Sequence, residues 1–265
     1  CMVAILLATY NGEKFLIEQL NSIINQSYED WTLYIHDDGS SDGTIAIINQ
    51  YCDQYENIIY LPDLIVHRGA AQSFMWLLEQ VNADYYMFCD QDDVWLPYKI
   101  EKTYIAMQEK PVDSPVLIFS DLVVVDSDLN IINKSFWFYS KLEKLVNNSN
   151  YLKVLNYVTG CTMMINEKAK LVSLRNKCMC MHDSWIAMCV LANKGVIYPI
   201  NEKMTLYRQH EKNVLGAAEY HFPILNMLHS MKENINRYSV VNKIINMNLF
   251  VYLYYRICVI LKRLR

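Results

Sequence analysis

Glycine is scarce in this chain, with seven in 265 residues, and no G-x-G-x-x-G run follows the first apolar segment. A dinucleotide-dependent oxidoreductase needs those glycines for the tight turn and the close approach to a pyrophosphate. The loop after that segment, Thr9 to Glu13, also lacks the Gly-rich, basic phosphate loop expected of a nucleotidyltransferase. No basic tract runs through the main body, and the formal net charge is −4, so nucleic acid is not an expected partner. The eight cysteines have neither the density nor the spacing of a disulfide framework. Most sit in apolar runs, where Cys behaves as a small buried hydrophobe. A reducing, cytosolic setting follows. Cys178, Cys180 and His182 are not at a usual zinc spacing, and no second ligand pair follows them. Met2 to Ala8 is too short, and has no basic lead, for a signal peptide. There is no internal repeat.

What the chain has is apolar residue in quantity, 53%, enough for one large domain with an appendage. Val3 to Ala8 is a fully apolar run that fits an interior parallel strand. Phe15, Leu16, Leu20, Ile23 and Ile24 then recur at helical spacing. Strand, helix, strand and helix follow over Trp31–His36, Thr44–Tyr51, Asn57–Leu61 and Ala70–Gln80, with Ser41 or Asp42 as the cap of the second helix. A strand over Tyr85–Cys89 and a helix over Leu96–Met107 complete the first half. The second half is more mixed. Val116–Phe119 and Cys161–Ile165 read as strands, His182–Ala192 as a helix, and Val196–Pro199 and Met204–Tyr207 as short strands. Strands alternating with helices imply crossover units and a mostly parallel sheet, which binds ligands beyond the carboxyl ends of its strands. Thr9, Asp37-Asp38 and Asp90 to Asp93 all fall at that edge.

Asp90-Gln91-Asp92-Asp93 is the sharpest feature. Three carboxylates at a strand end repel one another and lose solvation when buried. A divalent cation, Mn²⁺ or Mg²⁺, resolves that conflict, because hard cations take carboxylate oxygens and share substrate phosphates. An acidic turn capping the next helix is the plainer alternative.

Together these pieces resemble a family 2 glycosyltransferase with the GT-A fold: Ala8-Thr9-Tyr10-Asn11-Gly12, the Asp37 to Thr44 segment, Asp90-Gln91-Asp92-Asp93-Val94-Trp95, and His182-Asp183-Ser184-Trp185. The resemblance covers roughly residues 2 to 215. With Thr159-Gly160-Cys161-Thr162 and Tyr207-Arg208-Gln209-His210, the acidic stretch is similar to the branch often labelled rhamnosyltransferase. The implied fold is a Rossmann-like α/β domain, mostly parallel and flanked by helices. The nucleotide-sugar half covers about 1–110 and the acceptor half about 111–215, with a C-terminal helical appendage over 216–265.

The implied activity is inverting transfer of a sugar, L-rhamnose being the leading expectation, from a dTDP- or UDP-linked donor to a glycan or lipid-linked acceptor of a bacterial surface polysaccharide. The implied donor-binding residues are Thr9, Asn11 and Glu13 in the first loop, Asp37 or Asp38 on the pyrimidine, Arg68 near the diphosphate, Asp90 on the ribose, and Asp92. Asp92 is also the implied metal ligand, and His210 can reach the metal or the diphosphate. Asp93 assists, or caps the helix after it. Asp183 is the candidate base, at a helix start where the dipole favours a carboxylate. The family often has Glu-Asp there, and His182 takes the Glu position. A non-catalytic nucleotide-sugar binder or membrane scaffold is the rival reading.

The last segment is densely apolar from Leu249 to Leu261 and ends in Lys262-Arg263-Leu264-Arg265. Arg256 interrupts it, which argues against a membrane span. An interfacial helix on the inner face of the plasma membrane is one expectation, with aromatics at headgroup depth and a basic end on anionic lipid. A helix packed on the main domain or on a twin subunit, as in a homodimer, is the other.

Overall fold

A computed structural model describes residues 2–65, 67–211, 217 and 227–264. The expected boundary near residue 215 lies outside the described residues, as does Cys1. In chain order the elements are β1 (Val3–Thr9), α1 (Leu16–Ile24), β2 (Trp31–Asp37), α2 (Thr44–Gln54), β3 (Ile58–Tyr60), α3 (Ala70–Gln80), β4 (Tyr85–Cys89), β5 (Val94–Trp95), α4 (Lys99–Gln108), β6 (Val116–Val125), β7 (Ile131–Asn133), α5 (Phe136–Tyr139), β8 (Met164–Asn166), α6 (Glu167–Ser173), α7 (His182–Ala192), β9 (Val196–Arg208), α8 (Met227–Ile245) and α9 (Leu249–Leu264).

The sheet runs β3-β2-β1-β4-β8-β6-β9-β5, with β7 on the side of β6. β1 pairs in parallel with β2 and β4, and β2 with β3. The crossover helices α1, α2 and α3 make that geometry possible. β8 enters antiparallel between β4 and β6, and β9 returns parallel to β6. Two antiparallel steps cancel, so β1, β2, β4, β6 and β9 all point the same way. Their carboxyl ends share one edge.

Two sequence expectations change in the second half. Cys161–Ile165 is not one strand. Gly160–Thr162 forms a 3₁₀ turn and only Met164–Asn166 pairs in the sheet. The two short strands near Val196 and Met204 are one strand, β9, that follows β6 through two register shifts. Such irregularities hide a continuous strand from a period-two reading.

The core lies on both faces of the sheet. Val3, Ile5, Leu7, Leu33 and Ile35 bury one face against α1 and α2. Ala4, Leu6, Tyr86 and Phe88 bury the other against α3 and α7. Each fully buried Leu, Ile or Phe contributes roughly 1.5–3 kcal/mol of transfer free energy, so this two-sided burial dominates the fold. α7 is buried at every residue from His182 to Val190, as expected of a helix apolar on all sides. Any polar group on it is therefore drawn out of water. Val241 of α8, Tyr252 and Val259 of α9, and Met247 between the two helices join the same core cluster.

Candidate functional site

The parallel register fixes the first wall of the site. Thr9 pairs with Asp37 across β1 and β2, and the Thr9 hydroxyl donates to Asp37 Oδ2 at 2.8 Å. Asp37 also accepts from the Gly39 and Ser40 N–H groups at 3.0 and 2.7 Å. Its carboxylate is thus the nucleus of the turn after β2. Asp38 turns the other way and accepts from the Arg68 and Gly69 N–H groups at 2.7 and 2.8 Å.

The first and second loops are laced together. Asn11, at φ +47°, accepts the Ser41 N–H at 2.9 Å, and Glu13 accepts the Gly43 N–H at 2.8 Å. Asp42 accepts the Thr44 N–H at 3.0 Å, but the residue at the cap position of α2 is Gly43, with no side-chain cap hydrogen bond, so neither Ser41 nor Asp42 is the cap that the sequence predicts. Gln91 pins the acidic stretch to the first loop through both ends of its amide, taking the Tyr10 N–H at 2.9 Å and donating to the Tyr10 carbonyl at 3.0 Å. A Cβ on Gly12 would stand 2.2 Å from Gln91 Oε1, so a side chain here would push the Gln91 amide out of its bonds to Tyr10.

The second wall comes from β9. β5 pairs antiparallel with it, Val94 against Leu206, which carries Asp92 and Asp93 back beside Arg208 and His210. Asp93 is fully buried, and its Oδ1 accepts the Arg208 N–H at 3.1 Å. It therefore ties the acidic stretch to β9 rather than capping a helix. Arg208 is 2% exposed. Its guanidinium bonds the Asp92 carbonyl at 2.8 Å, pairs with Glu18 and lies 4.4 Å from the Phe15 ring centre. His210 Nε2 lies 2.8 Å from Asp92 Oδ2 and its ring stacks on Phe15. Lys99 is buried behind the acids. Its ammonium donates to the Cys161 carbonyl and to Thr205 Oγ1. Burial pulls its pKa down to about 8 against the charges of Asp93 and Asp90. Trp95 lies under that ammonium in the core.

A cleft of about 300 Å³ opens where these walls meet, and Thr9, Asp38, Asp90, Asp92, Gly160 and Asp183 all line it. A neighbouring groove of about 640 Å³, lined by Asn11, Phe15 and His210, shares Tyr10, Gln91 and Asp92 with it. A larger groove of about 780 Å³ lies beside Asp121, Trp137 and Lys203 and shares no lining residue with either. The acids expected to converge are in the first two. Glu13 and Asp37 are occupied within the loops. The Arg68 guanidinium pairs with Asp63 and lies 5.7 Å from the Trp76 ring centre.

The electrostatics follow from burial. Asp90 is pushed up to about 7, first by desolvation and then by Asp92 and Asp183. Asp183 is pushed up to about 6 by desolvation, opposed by hydrogen bonds from Ser184, Gly160 and Asn156 and by the charge of Arg237. His182 is pushed down to about 3 by burial alone. Its ring lies against Phe74 and Phe88. At neutral pH Asp183 is ionised and His182 is an uncharged imidazole.

Two oxygen-bearing sets could hold a cation. Asp90, Asp93 and Cys161 bring ligand atoms within 4.8 Å of one another. The Cys161 thiol there is raised well above its ordinary range by burial, and a protonated thiol does not ligate a hard ion. Asp92 and His210 fit better. A carboxylate that lines both the cleft and the neighbouring groove meets there an imidazole that lines the groove, a ligand pair suited to a divalent cation. No local pattern marks Arg237 of α8, which reaches Ser184 at the start of α7. Lys99 had a faint signal, as a lone cation on an otherwise apolar helix face.

A mixed α/β sheet with a cleft across its carboxyl edge, walled by acids from successive strand ends, is the GT-A fold of glycosyltransferases. The chain belongs to glycosyl transferase family 2, whose model matches residues 4–171. It is 32% identical over 229 residues to a dTDP-rhamnosyl transferase of Shigella flexneri, covering 80% of this chain and 74% of that protein. The fold is similar to that of S. aureus TarS residues 1–349 in complex with UDP-GlcNAc, with a TM-score of 0.63 at 16% identity over 92% of this chain and 70% of the other. A mannosyltransferase of Pyrobaculum calidifontis in complex with GDP-Man and Mn²⁺ superposes with a TM-score of 0.58 at 15% identity, over 80% of this chain and 58% of that one.

Proposed function

We propose that this glycosyltransferase inverts the anomeric centre of a nucleoside-diphosphate sugar, dTDP-L-rhamnose first among the candidates, and delivers the sugar to a glycan or lipid-linked acceptor of a bacterial surface polysaccharide. One observation carries the reading: Thr9, Asp38, Asp90, Asp92 and Asp183 come from separate strand and helix ends onto a single cleft. The donor class is supported by the nucleotide sugars, UDP-GlcNAc and GDP-Man, with which the two structural neighbours are in complex. The rhamnose preference is supported by the name of the Shigella relative.

Asp38 is the residue for the pyrimidine, since it lines the cleft and Asp37 does not. Asp90, in the same cleft, serves the ribose. Thr9 and the Asn11 loop flank the donor, and Glu13 and Asp37 act by holding that loop. Arg68 serves the diphosphate by leaving Asp63. Asp92 and His210 would hold a divalent cation, which when bound neutralises charge on the diphosphate.

Asp183 is the base. The acceptor hydroxyl passes its proton to the carboxylate as its oxygen bonds the anomeric carbon. The bond from that carbon to the β-phosphate oxygen breaks, and the nucleoside diphosphate leaves with the electron pair. A carboxylate raised to about 6 takes a proton better than one near 4 and is still ionised at neutral pH. His182, pushed down to about 3, is too weak a base to replace it.

The catalytic domain spans about 1–215, and α8 and α9 pack on it through Val241, Tyr252 and Val259. No helix among the described residues is long and apolar enough to cross a membrane. α9 nonetheless exposes Phe250, Leu253, Tyr254, Ile257 and Leu261, an apolar stripe that suits the headgroup region of a bilayer carrying a lipid-linked acceptor. Arg256 and Arg263 face inward and donate to the carbonyls of Val154 and Ser140. Adsorption would thus rest on the apolar stripe rather than on those two charges.

A panel of nucleoside-diphosphate sugars with and without Mn²⁺, read by nucleotide release in the presence of an acceptor, tests the function. Release from dTDP-L-rhamnose above the other donors is expected. Nucleotide-sugar binding with no release from any donor would leave the non-catalytic reading standing.

A further inference from the structure

Asp183 sits one residue into a helix that is buried on every side, and its environment is closed from behind by a residue more than fifty positions along the chain. Arg237 of α8 donates through Nη1 to Ser184 Oγ at 3.0 Å and through Nη2 to the Leu152 carbonyl. Ser184 in turn offers its N–H to the Asp183 carboxylate at 2.5 Å. One serine therefore joins the guanidinium to the base. Both hydrogen bonds of Arg237 go to neutral groups, and its buried Nε has no hydrogen-bond partner. An arrangement so poor in direct partners is costly for a guanidinium. Burial pulls its pKa down, and against that act Tyr252, Cys180 and Asp183, the last being the carboxylate among them, with Arg256 opposing. α9 contributes to the same corner, since the Tyr252 hydroxyl donates to the Asn234 carbonyl on α8.

We propose that Arg237 is a positioning residue for Asp183, so that the C-terminal helices complete the transfer site instead of merely resting against it. The inference depends on Asp183 being the base. Arg237 acts through Ser184: it fixes the first turn of α7, and its buried positive charge favours the ionised carboxylate that accepts the acceptor's proton. A guanidinium does both at once, whereas a role confined to bracing α8 against Leu152 would need only the second hydrogen bond.

The test uses the whole chain and three variants: Arg237→Gln, Arg237→Ala and Asp183→Asn. Turnover is followed as nucleoside diphosphate released from dTDP-L-rhamnose or UDP-glucose with acceptor present, and binding of dTDP and UDP is measured by calorimetry. The expected result is that Arg237→Gln lowers kcat by about tenfold or more with donor KM and nucleotide Kd within about twofold of the parent, the pattern of a group that matters in the transition state and not in donor binding. Added guanidinium should restore part of kcat to Arg237→Ala and none to Asp183→Asn. If Asp183→Asn loses transfer while Arg237→Gln keeps it, the inference fails and the base assignment stands. A loss in Arg237→Ala that guanidinium does not repair also overturns it, leaving Arg237 as a brace. Unchanged turnover in Asp183→Asn sinks the base assignment and this inference with it.

Discussion

His210 and Asp92 are 118 positions apart, and their Nε2 and Oδ2 atoms stand 2.8 Å apart on the wall of the groove beside the cleft. The short antiparallel pairing of Val94 with Leu206 brings them there, and the ring of Phe15 stacks behind the imidazole. The His210 and Asp92 side chains are 14% and 15% exposed.

This pair predicts a metal-linked phenotype. Asp92→Asn should abolish the Mn²⁺-dependent gain in dTDP or UDP affinity, and His210→Ala should weaken it by about 10- to 100-fold, since it removes one neutral ligand and leaves the carboxylate. Calorimetric titration of the nucleotide with and without Mn²⁺ measures both. An unchanged Mn²⁺ effect in Asp92→Asn would move the ion elsewhere.

Asp183 predicts a trade between rate and stability. Asp183→Asn should lower kcat by about 10²- to 10⁴-fold, the usual contribution of a general base, with nucleotide binding intact. The same change should raise the melting temperature at pH 8. Burial holds the folded-state pKa of Asp183 near 6, above its ordinary value. Folding therefore favours the protonated form. The stabilising contribution is complete below the ordinary carboxylate range and is lost as pH rises through the folded-state value. Above it the buried charge costs roughly 2–3 kcal/mol, which the neutral amide avoids. A melting temperature at pH 8 below that of the parent would contradict this.

The pH profile of turnover should carry the same signature. With the base ionised only above its folded-state value, kcat should fall on the acid side with a midpoint near 6. His182 is already neutral across that range, so His182→Gln should leave the midpoint in place. A profile flat down to pH 5 would rule Asp183 out as the proton acceptor.

Gly12 predicts a loop phenotype. An alanine Cβ there meets Gln91 Oε1 at 2.2 Å and displaces the amide that holds Tyr10. Gly12→Ala should cost about 1–3 kcal/mol of stability through lost hydrogen bonds and local strain and raise donor KM. Gly12→Ala combined with Gln91→Ala should recover part of the stability and none of the donor affinity. Thermal melts and donor kinetics separate the two.

The stripe on α9 predicts a solution behaviour. Replacing Phe250, Leu253 and Ile257 by Ser should abolish binding to phospholipid vesicles and leave the melting temperature within a few degrees, because these side chains are exposed. Co-sedimentation with neutral and anionic vesicles reads this directly. A change from dimer to monomer on light scattering, with vesicle binding absent in the parent too, would instead assign the stripe to a twin subunit.

The local chemistry was legible in the chain itself. Apolar runs ending in acids or turn residues give strands whose ends carry function, and helix periodicity gives the crossover units between them. Thr9, Asp38, Asp90, Asp92 and Asp183 could be singled out because a short-range pattern surrounds each of them. The shared edge also followed, since parallel strands joined by crossovers must point one way. Tertiary structure alone decided what happens between distant segments. It made β9 one long strand that bends past β6, and brought His210 to Asp92. It kept Asp37 and Glu13 inside the loops while Asp38 faces the cleft. It also set Lys99 behind the acids and Arg237 behind Asp183. These outcomes depend on burial and on partners far away in sequence, and a side chain's charge state is set by how much water and which ions surround it once the chain has closed. No window of residues holds that information, because the solvent that each group loses is a property of the whole packed molecule.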